Sequence, residues 1–263
     1  MAVGPWAIII VALLALSVAL LVLLVRISRR GIAEGTPAGR DSLILFAITY
    51  WGAIAYAALM TIVGVITIVT ALSGDVTLDV PVSEFWPELD PRFTVLDQPD
   101  ATIVGGGFTT ATLTLAGLDL PTRLLLGLQA ALSSGMFVTI SLAIARIAKA
   151  VEGRRPFTSV LPKATTAAAI AVGIGGFGAQ IAGGIASSMA SEQALGIHGW
   201  SAEGVTDAES LELGLPEPTL LVQFDFWPLL LFIVLSALAA IFAYAERLQR
   251  DTERLERDTE GLV

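Results

Sequence analysis

Side-chain charge is missing from this chain over five long stretches, and no other feature of the sequence restricts its fold as much. Residues 1–25, 42–74, 124–145, 164–191 and 226–245 contain no Asp, Glu, Lys, Arg or His. Each run meets or exceeds the ~20 residues that a helix rising 1.5 Å per residue needs to cross a hydrocarbon core. Charged residues make up 15% of the chain, where a soluble domain carries about 25%. The pattern predicts an all-α membrane protein, a bundle of five transmembrane helices with only short connecting domains.

The charges between the runs assign the sides. Arg146–Lys163 (RIAKAVEGRRPFTSVLPK) holds five of the fifteen basic residues, namely Arg146, Lys149, Arg154, Arg155 and Lys163. A cationic elbow between two apolar spans is expected on the cytoplasmic side of a plasma membrane. Placing it inside puts the N-terminus outside and the C-terminus inside. Thirteen of the fifteen basic residues then fall inside, and the exceptions, Arg92 and Arg123, flank one outer loop. Fifteen of the twenty-four acids fall outside.

The predicted order follows from this threading. Residues 1–25 form an N-terminal anchor. A cleaved leader is the alternative, but positive charge follows the apolar run instead of preceding it, and no A-x-A site is present. Residues 26–42 form an inner loop and 43–74 a second helix, long enough to tilt. Residues 75–121 are an outer loop in which Asp75–Val82 (DVTLDVPV) and Thr110–Leu120 (TATLTLAGLDL) alternate as strands do, with Gly105–Gly107 as a turn or bulge signal. This predicts a small β-containing region on the outer face. Residues 122–146 are the third helix, opened by Pro121, followed by the basic elbow 147–163 and a Gly/Ala-rich fourth helix at 164–191. Residues 192–225 form an acidic outer loop, 226–246 the fifth helix and 247–263 a charged cytoplasmic helical tail.

The fourth helix has an unusual composition. Ala167, Ala171, Gly175, Ala179, Gly183 and Ser187 recur at every fourth position. Such a ridge lets another helix approach closely, which predicts a place at the centre of the bundle or at a subunit interface. In the tail, Leu248, Leu255 and Leu262 are seven apart, and Glu246–Arg250 and Glu253–Arg257 are spaced for i, i+4 pairing.

Reaction chemistry is scarce. There is no cysteine and one histidine, His198, which leaves no thiolate or multi-histidine metal site. His198 reads as an ordinary loop residue, with a pH-sensitive switch as the sharper alternative. The outer carboxylates lack calcium-loop spacing, and Gly105–Thr110 (GGGFTT) lacks the Lys of a phosphate cradle. No span interior carries an ionisable group of the kind that marks proton or ion paths. The mild polarity of Gln129, Ser133, Ser134, Thr139, Ser141 and Gln180 is expected to serve hydrogen bonding between helices. No cofactor, metal, nucleic-acid partner or enzymatic activity is predicted. The elbow cations are candidates for anionic headgroups or a partner, beside the plain reading as a topology signal.

The Gly153–Thr158 pattern (G-x-x-PFT) and the Glu260–Val263 terminus (EGLV) give the region from Leu43 to Val263 a resemblance to the bacterial integral-membrane domain-of-unknown-function family 2975. The resemblance implies four spans, a long outer loop after the first, no established catalytic residues and a regulatory or stress-response setting. The helix at 1–25 and the duplicated tail heptad depart from that pattern. Together the residues lead to an expectation of a non-enzymatic protein that binds a cytoplasmic regulator, or a second copy of itself, through elbow and tail. The alternative is a transporter or channel for a small neutral or apolar solute, using the fourth helix against the polar face of the third.

Overall fold

A computed structural model describes residues 40–86, 104–152, 160–197 and 216–260, with side chains described except at 40–44, 152, 253 and 256–260. The predicted anchor 1–25, elbow residues Arg154 and Arg155, His198 and the last three residues lie outside the described residues. So do residues 87–103 of the first outer loop, Arg92 among them, and residues 198–215 of the second.

The described chain is mostly helical. Its elements run α1 (Arg40–Ser73), β1 (Val76–Phe85), β2 (Phe108–Leu115), α2 (Leu120–Glu152), α3 (Val160–Ala171), a π-helical turn (Val172–Gly176), α4 (Phe177–Leu195) and α5 (Trp227–Glu260). Among the described residues, four helical stretches are long and apolar enough to cross a membrane: Leu45–Ser73, Leu120–Val151, Val160–Leu195 and Trp227–Thr252. The third of these is α3, the π turn and α4 taken together. The expected strands are present as one two-stranded antiparallel sheet.

Local chemistry explains where the elements begin and end. Asp119 caps α2, its Oδ1 accepting the backbone N–H of Thr122 at 3.0 Å, so the helix starts at Leu120 and Pro121 falls one residue inside it. The first four N–H groups of a helix have no partner within it, so proline is tolerated there. Pro228 occupies the corresponding second position of α5. Hydroxyls inside the spans bond back to their own helix: Thr49 to the Leu45 carbonyl, Thr67 to Val63, Ser73 to Val69 and Thr139 to Gly135.

The molecule divides into two compact units. One comprises Met1–Ala57, Ile140–Ala167 and Leu235–Val263, and the other Ala58–Thr139 and Ala168–Val234. In the first, Ala143, Ala145, Ala148, Leu161 and Ala164 are buried. The Lys149 ammonium there lies 5.9 Å from the centre of the Tyr50 ring, and Tyr50 meets Trp51 edge-on.

The second unit contains the sheet. Val76, Leu78 and Val80 pair with Leu115, Leu113 and Ala111. These alternate residues pack on a core formed by Val80, Ala71, Leu118, Leu126, Ala186 and Ala190. The intervening residues point the other way, where Thr77 bonds Thr114 at 2.8 Å and Thr112 donates to Asp79 at 2.6 Å. The period-two pattern thus separates one greasy face from one wet face. The pairing becomes irregular between Pro81 and Phe85. Beyond it Gly107 lies so close to Phe85 that a Cβ would stand 2.8 Å from the Phe85 carbonyl oxygen. The other edge of β1 is covered too: Val82 bridges Pro218, and the Ser83 N–H donates to the Glu217 carbonyl at 2.8 Å.

Candidate functional site

The glycine-rich helix is the most enclosed of the four. Within its hydrophobic window 39% of residues are buried, against 28% for α2 and 11% each for α1 and α5. Its small residues are touched from two sides. On one, a Cβ added at Gly175 would stand 2.8 Å from Met136 Cβ and 3.0 Å from the Leu132 carbonyl oxygen, and one at Gly183 would meet the Gln129 amide at 2.6 Å. On the other, Gly173 faces Phe232, Gly176 faces Pro228 and Gly184 faces Val222. Of the predicted ridge, Gly175 and Ala179 are buried while Ala171, Gly183 and Ser187 are half-buried.

The deepest stripe on α4 is a different one: Ala182, Ala186 and Ala190 at 4%, 0% and 0% exposure. Ordinary helix geometry explains the offset. A turn holds 3.6 residues, so a strict every-fourth count drifts about 40° per step and has left the packed face by Gly183 and Ser187.

Polar side chains on α4 serve the backbone of the neighbouring segment 221–225, which is neither helix nor strand. The Gln180 amide accepts the Asp225 N–H at 2.8 Å and donates to the Asp225 carbonyl at 3.2 Å. Two turns along, the Leu221 N–H donates to Ser188 Oγ at 3.2 Å. At the end of the helix Ser191, fully buried, donates to the Pro81 carbonyl of β1. The expectation of bonding between helices therefore needs correction at several positions. Ser133, Ser134 and Thr139 donate to carbonyls of their own helix, and Gln180 holds a loop.

A second polar junction ties the start of α2 to the end of α4. Gln193 Nε2 donates to Asp119 Oδ1 at 2.8 Å and to Thr122 Oγ1 at 2.7 Å, and the Asp119 N–H donates to Gln193 Oε1 at 3.0 Å. The hydrogen bond from the Thr122 side chain, then that from its backbone and that from Gln193, hold the Asp119 carboxyl below the ordinary carboxylate value. Next to it, Arg123 donates from Nε to the Leu118 carbonyl at 3.0 Å and from one terminal nitrogen to Ala71 and Gly74 at 3.2 and 3.0 Å. Those two carbonyls belong to the end of α1, where a helix presents unpaired acceptors and partial negative charge. The role of Arg123 is thus a helix cap, which accounts for a basic residue on the acidic side of the charge pattern. Sequence reasoning missed this cap and the Gln193 junction. Asp119 followed by Pro121 and Thr122 was a readable N-cap signal, but the partners 49 to 74 positions away were not readable.

Between α1 and α2 lies a cleft of about 570 Å³. The two helices touch at Gly64, where a Cβ would meet Ser134 Oγ at 2.5 Å, and come near again at Gly127, where a Cβ would stand 3.8 Å from Leu72 Cδ2. Between those contacts small residues leave space: Thr67, Thr70 and Ala71 on one wall, Ala130 and Ser133 on the other. Ile66, Leu126, Gln129, Asp75 and residues 76–78 of β1 complete the lining.

Of the basic candidates, Arg146, Lys149 and Lys163 are exposed. Lys149 is directed to Tyr50. Among the described residues no group of three or more His, Asp or Glu could hold a metal ion. The tail continues α5 without a break to Glu260. Glu246 is buried and accepts from Arg250 one turn on, whereas Leu248 and Leu255 are 50% and 68% exposed.

No family model matches this chain, and none of the curated proteins or solved structures matches it either.

Proposed function

We propose that this chain is a non-enzymatic, multi-pass protein of the plasma membrane, with its N-terminus outside and C-terminus inside, that acts by binding a cytoplasmic partner through its tail. One observation carries the reading: α5 leaves its apolar span and continues as a single helix whose charged extension bears two uncovered leucines, Leu248 and Leu255, two turns apart. Thirty-four residues at 1.5 Å make a rod of about 51 Å, longer than a ~30 Å hydrocarbon core. An apolar stripe on such a projecting rod suits a helical partner.

The retained helix at 1–25, the elbow cations as lipid or partner contacts, and the regulatory setting implied by resemblance to family 2975 belong to the same proposal. A transporter of small neutral solutes is the weaker reading. The residues that would line its path are engaged otherwise, Gly176 by Pro228 and Gln180 by the backbone of Asp225.

The test is capture of a stoichiometric partner by full-length tagged protein from its own membrane, compared with Leu248→Ser/Leu255→Ser. Loss of the partner in that variant is expected; undiminished capture rejects the tail as the site. Orientation is checked in the same cells, using a cysteine placed at Thr77 in this cysteine-free chain. It should react with an impermeant maleimide added outside, and protection until the cells are opened would reverse the proposed sides.

A further inference from the structure

We propose that the partner of the tail is a basic amphipathic helix, whose apolar seam packs on Leu248 and Leu255 between flanking lysines or arginines. The inference rests on the reading of the tail as the binding site and adds the chemistry of what it binds.

Beyond its apolar span α5 stays one unbroken helix to Glu260. Leu248 and Leu255 are seven residues apart, close to two turns of 3.6, so they share a stripe. They are 50% and 68% exposed. In heptad terms the leucines take position d and Thr252 and Thr259 position a. Placing the leucines at a instead would set Asp251 and Asp258 inside the seam, where unpaired carboxylates are costly.

Charge is sorted around that seam. The flanking positions are Gln249 and Glu256 at e and Asp251 and Asp258 at g. All four arginines of the stretch, Arg247, Arg250, Arg254 and Arg257, fall behind these, at c and f. There Arg250 donates to Glu246, at b. Residues at e and g face their counterparts on a partner helix and set which partner is accepted. Three acids and no base at those positions complement a helix with bases there. They also oppose a second copy of this chain. In a parallel pair Asp251 would meet the second copy's Glu256, and in an antiparallel pair aspartates at g would meet each other; such like-charge contacts reject a partner. Acids beside the leucines likewise disfavour laying the stripe on an anionic headgroup layer.

The experiment is fluorescence-anisotropy titration of the purified full-length protein, in non-ionic detergent, with two labelled synthetic helices. Both carry leucine at a and d; one has lysine at every e and g position, the other glutamate. The lysine helix should bind at least about tenfold more tightly at about 0.1 M salt, and the gap should close near about 1 M, where screening shortens to about 3 Å. Asp251→Lys/Glu256→Lys should reverse the preference. Glu253→Lys/Glu260→Lys, an equal change of charge at position b, should keep the lysine helix preferred. Leu248→Ser/Leu255→Ser should abolish its binding. Equal, leucine-dependent binding of both helices overturns the inference while leaving the tail as the docking site. Failure of the lysine helix to bind overturns it too, with the tail reading still decided by partner capture. Lysine-helix binding that survives the leucine changes overturns both. A dimer of the protein that those changes dissociate overturns the inference in favour of a second copy.

Discussion

Replacing Gly175 by alanine adds one methyl group where the glycine-rich helix lies against the backbone and a Cβ of α2. That methyl carbon would stand 2.8 Å from Met136 Cβ and 3.0 Å from the Leu132 carbonyl oxygen. Carbon atoms attract best at about 3.5–4.0 Å, so the helices must separate by most of an ångström or the backbone must bend. One of the obstructing atoms is backbone and the other is fixed at a Cβ, so neither can swing aside. Overpacking of this kind costs about 1–3 kcal/mol. Alanine also favours the helix over glycine by about 1 kcal/mol, which partly hides the clash if the variant is compared with wild type alone.

The proper reference is Gly135→Ala on α2, where an added Cβ meets nothing within 4 Å. The same change in propensity applies there, so the difference between the two variants isolates the packing cost. Gly175→Ala should be less stable than Gly135→Ala by about 1–3 kcal/mol, and Gly175→Leu less stable still. The chain has no cysteine, so one buried reporter cysteine introduced into every variant permits unfolding to be followed by thiol reactivity. Equal stability of the two alanine variants would refute the close approach of Gly175 to α2.

Two further outcomes follow from the polar junctions. Arg123→Gln removes a charged donor shared among the Leu118, Ala71 and Gly74 carbonyls, and should cost about 1–3 kcal/mol; faster amide exchange at the end of α1 and in β1, with the far end of α1 unaffected, is the expected readout. Asp119 has a lowered carboxyl pKa when folded, so its stabilising effect is complete above the unfolded value of 3.8 and fades as pH falls through the lower folded value. Asp119→Asn keeps a capping side chain but should flatten this acid-side loss, and an unaltered profile between about pH 5 and pH 2 would exclude Asp119 as its source.

Much of the fold was legible because hydrocarbon and water impose one-dimensional rules. Runs such as 42–74 and 226–245 have to become helices, since a backbone crossing lipid must satisfy its own hydrogen bonds. The alternation in Val76–Val80 and Ala111–Leu115 already separated a buried face from a wet one, because side chains in a strand alternate by pairs. The cluster of small residues at 171–187 likewise announced close helix contact. The predicted phase drifted off the packed face, because an every-fourth count outruns a helix of 3.6 residues per turn.

Long-range partners were beyond the reach of any local pattern. The sequence by itself determined that the chain forms long apolar helices carrying a small amphipathic hairpin, because solvent preference acts on each residue where it stands. Only the tertiary structure decided that Arg123 caps α1, that Gln180 and Ser188 hold the segment at 221–225, and that a cleft remains between Gly64 and Leu72. Those outcomes depend on which atoms of distant segments arrive within about 3 Å of each other, and residue type alone does not encode that distance.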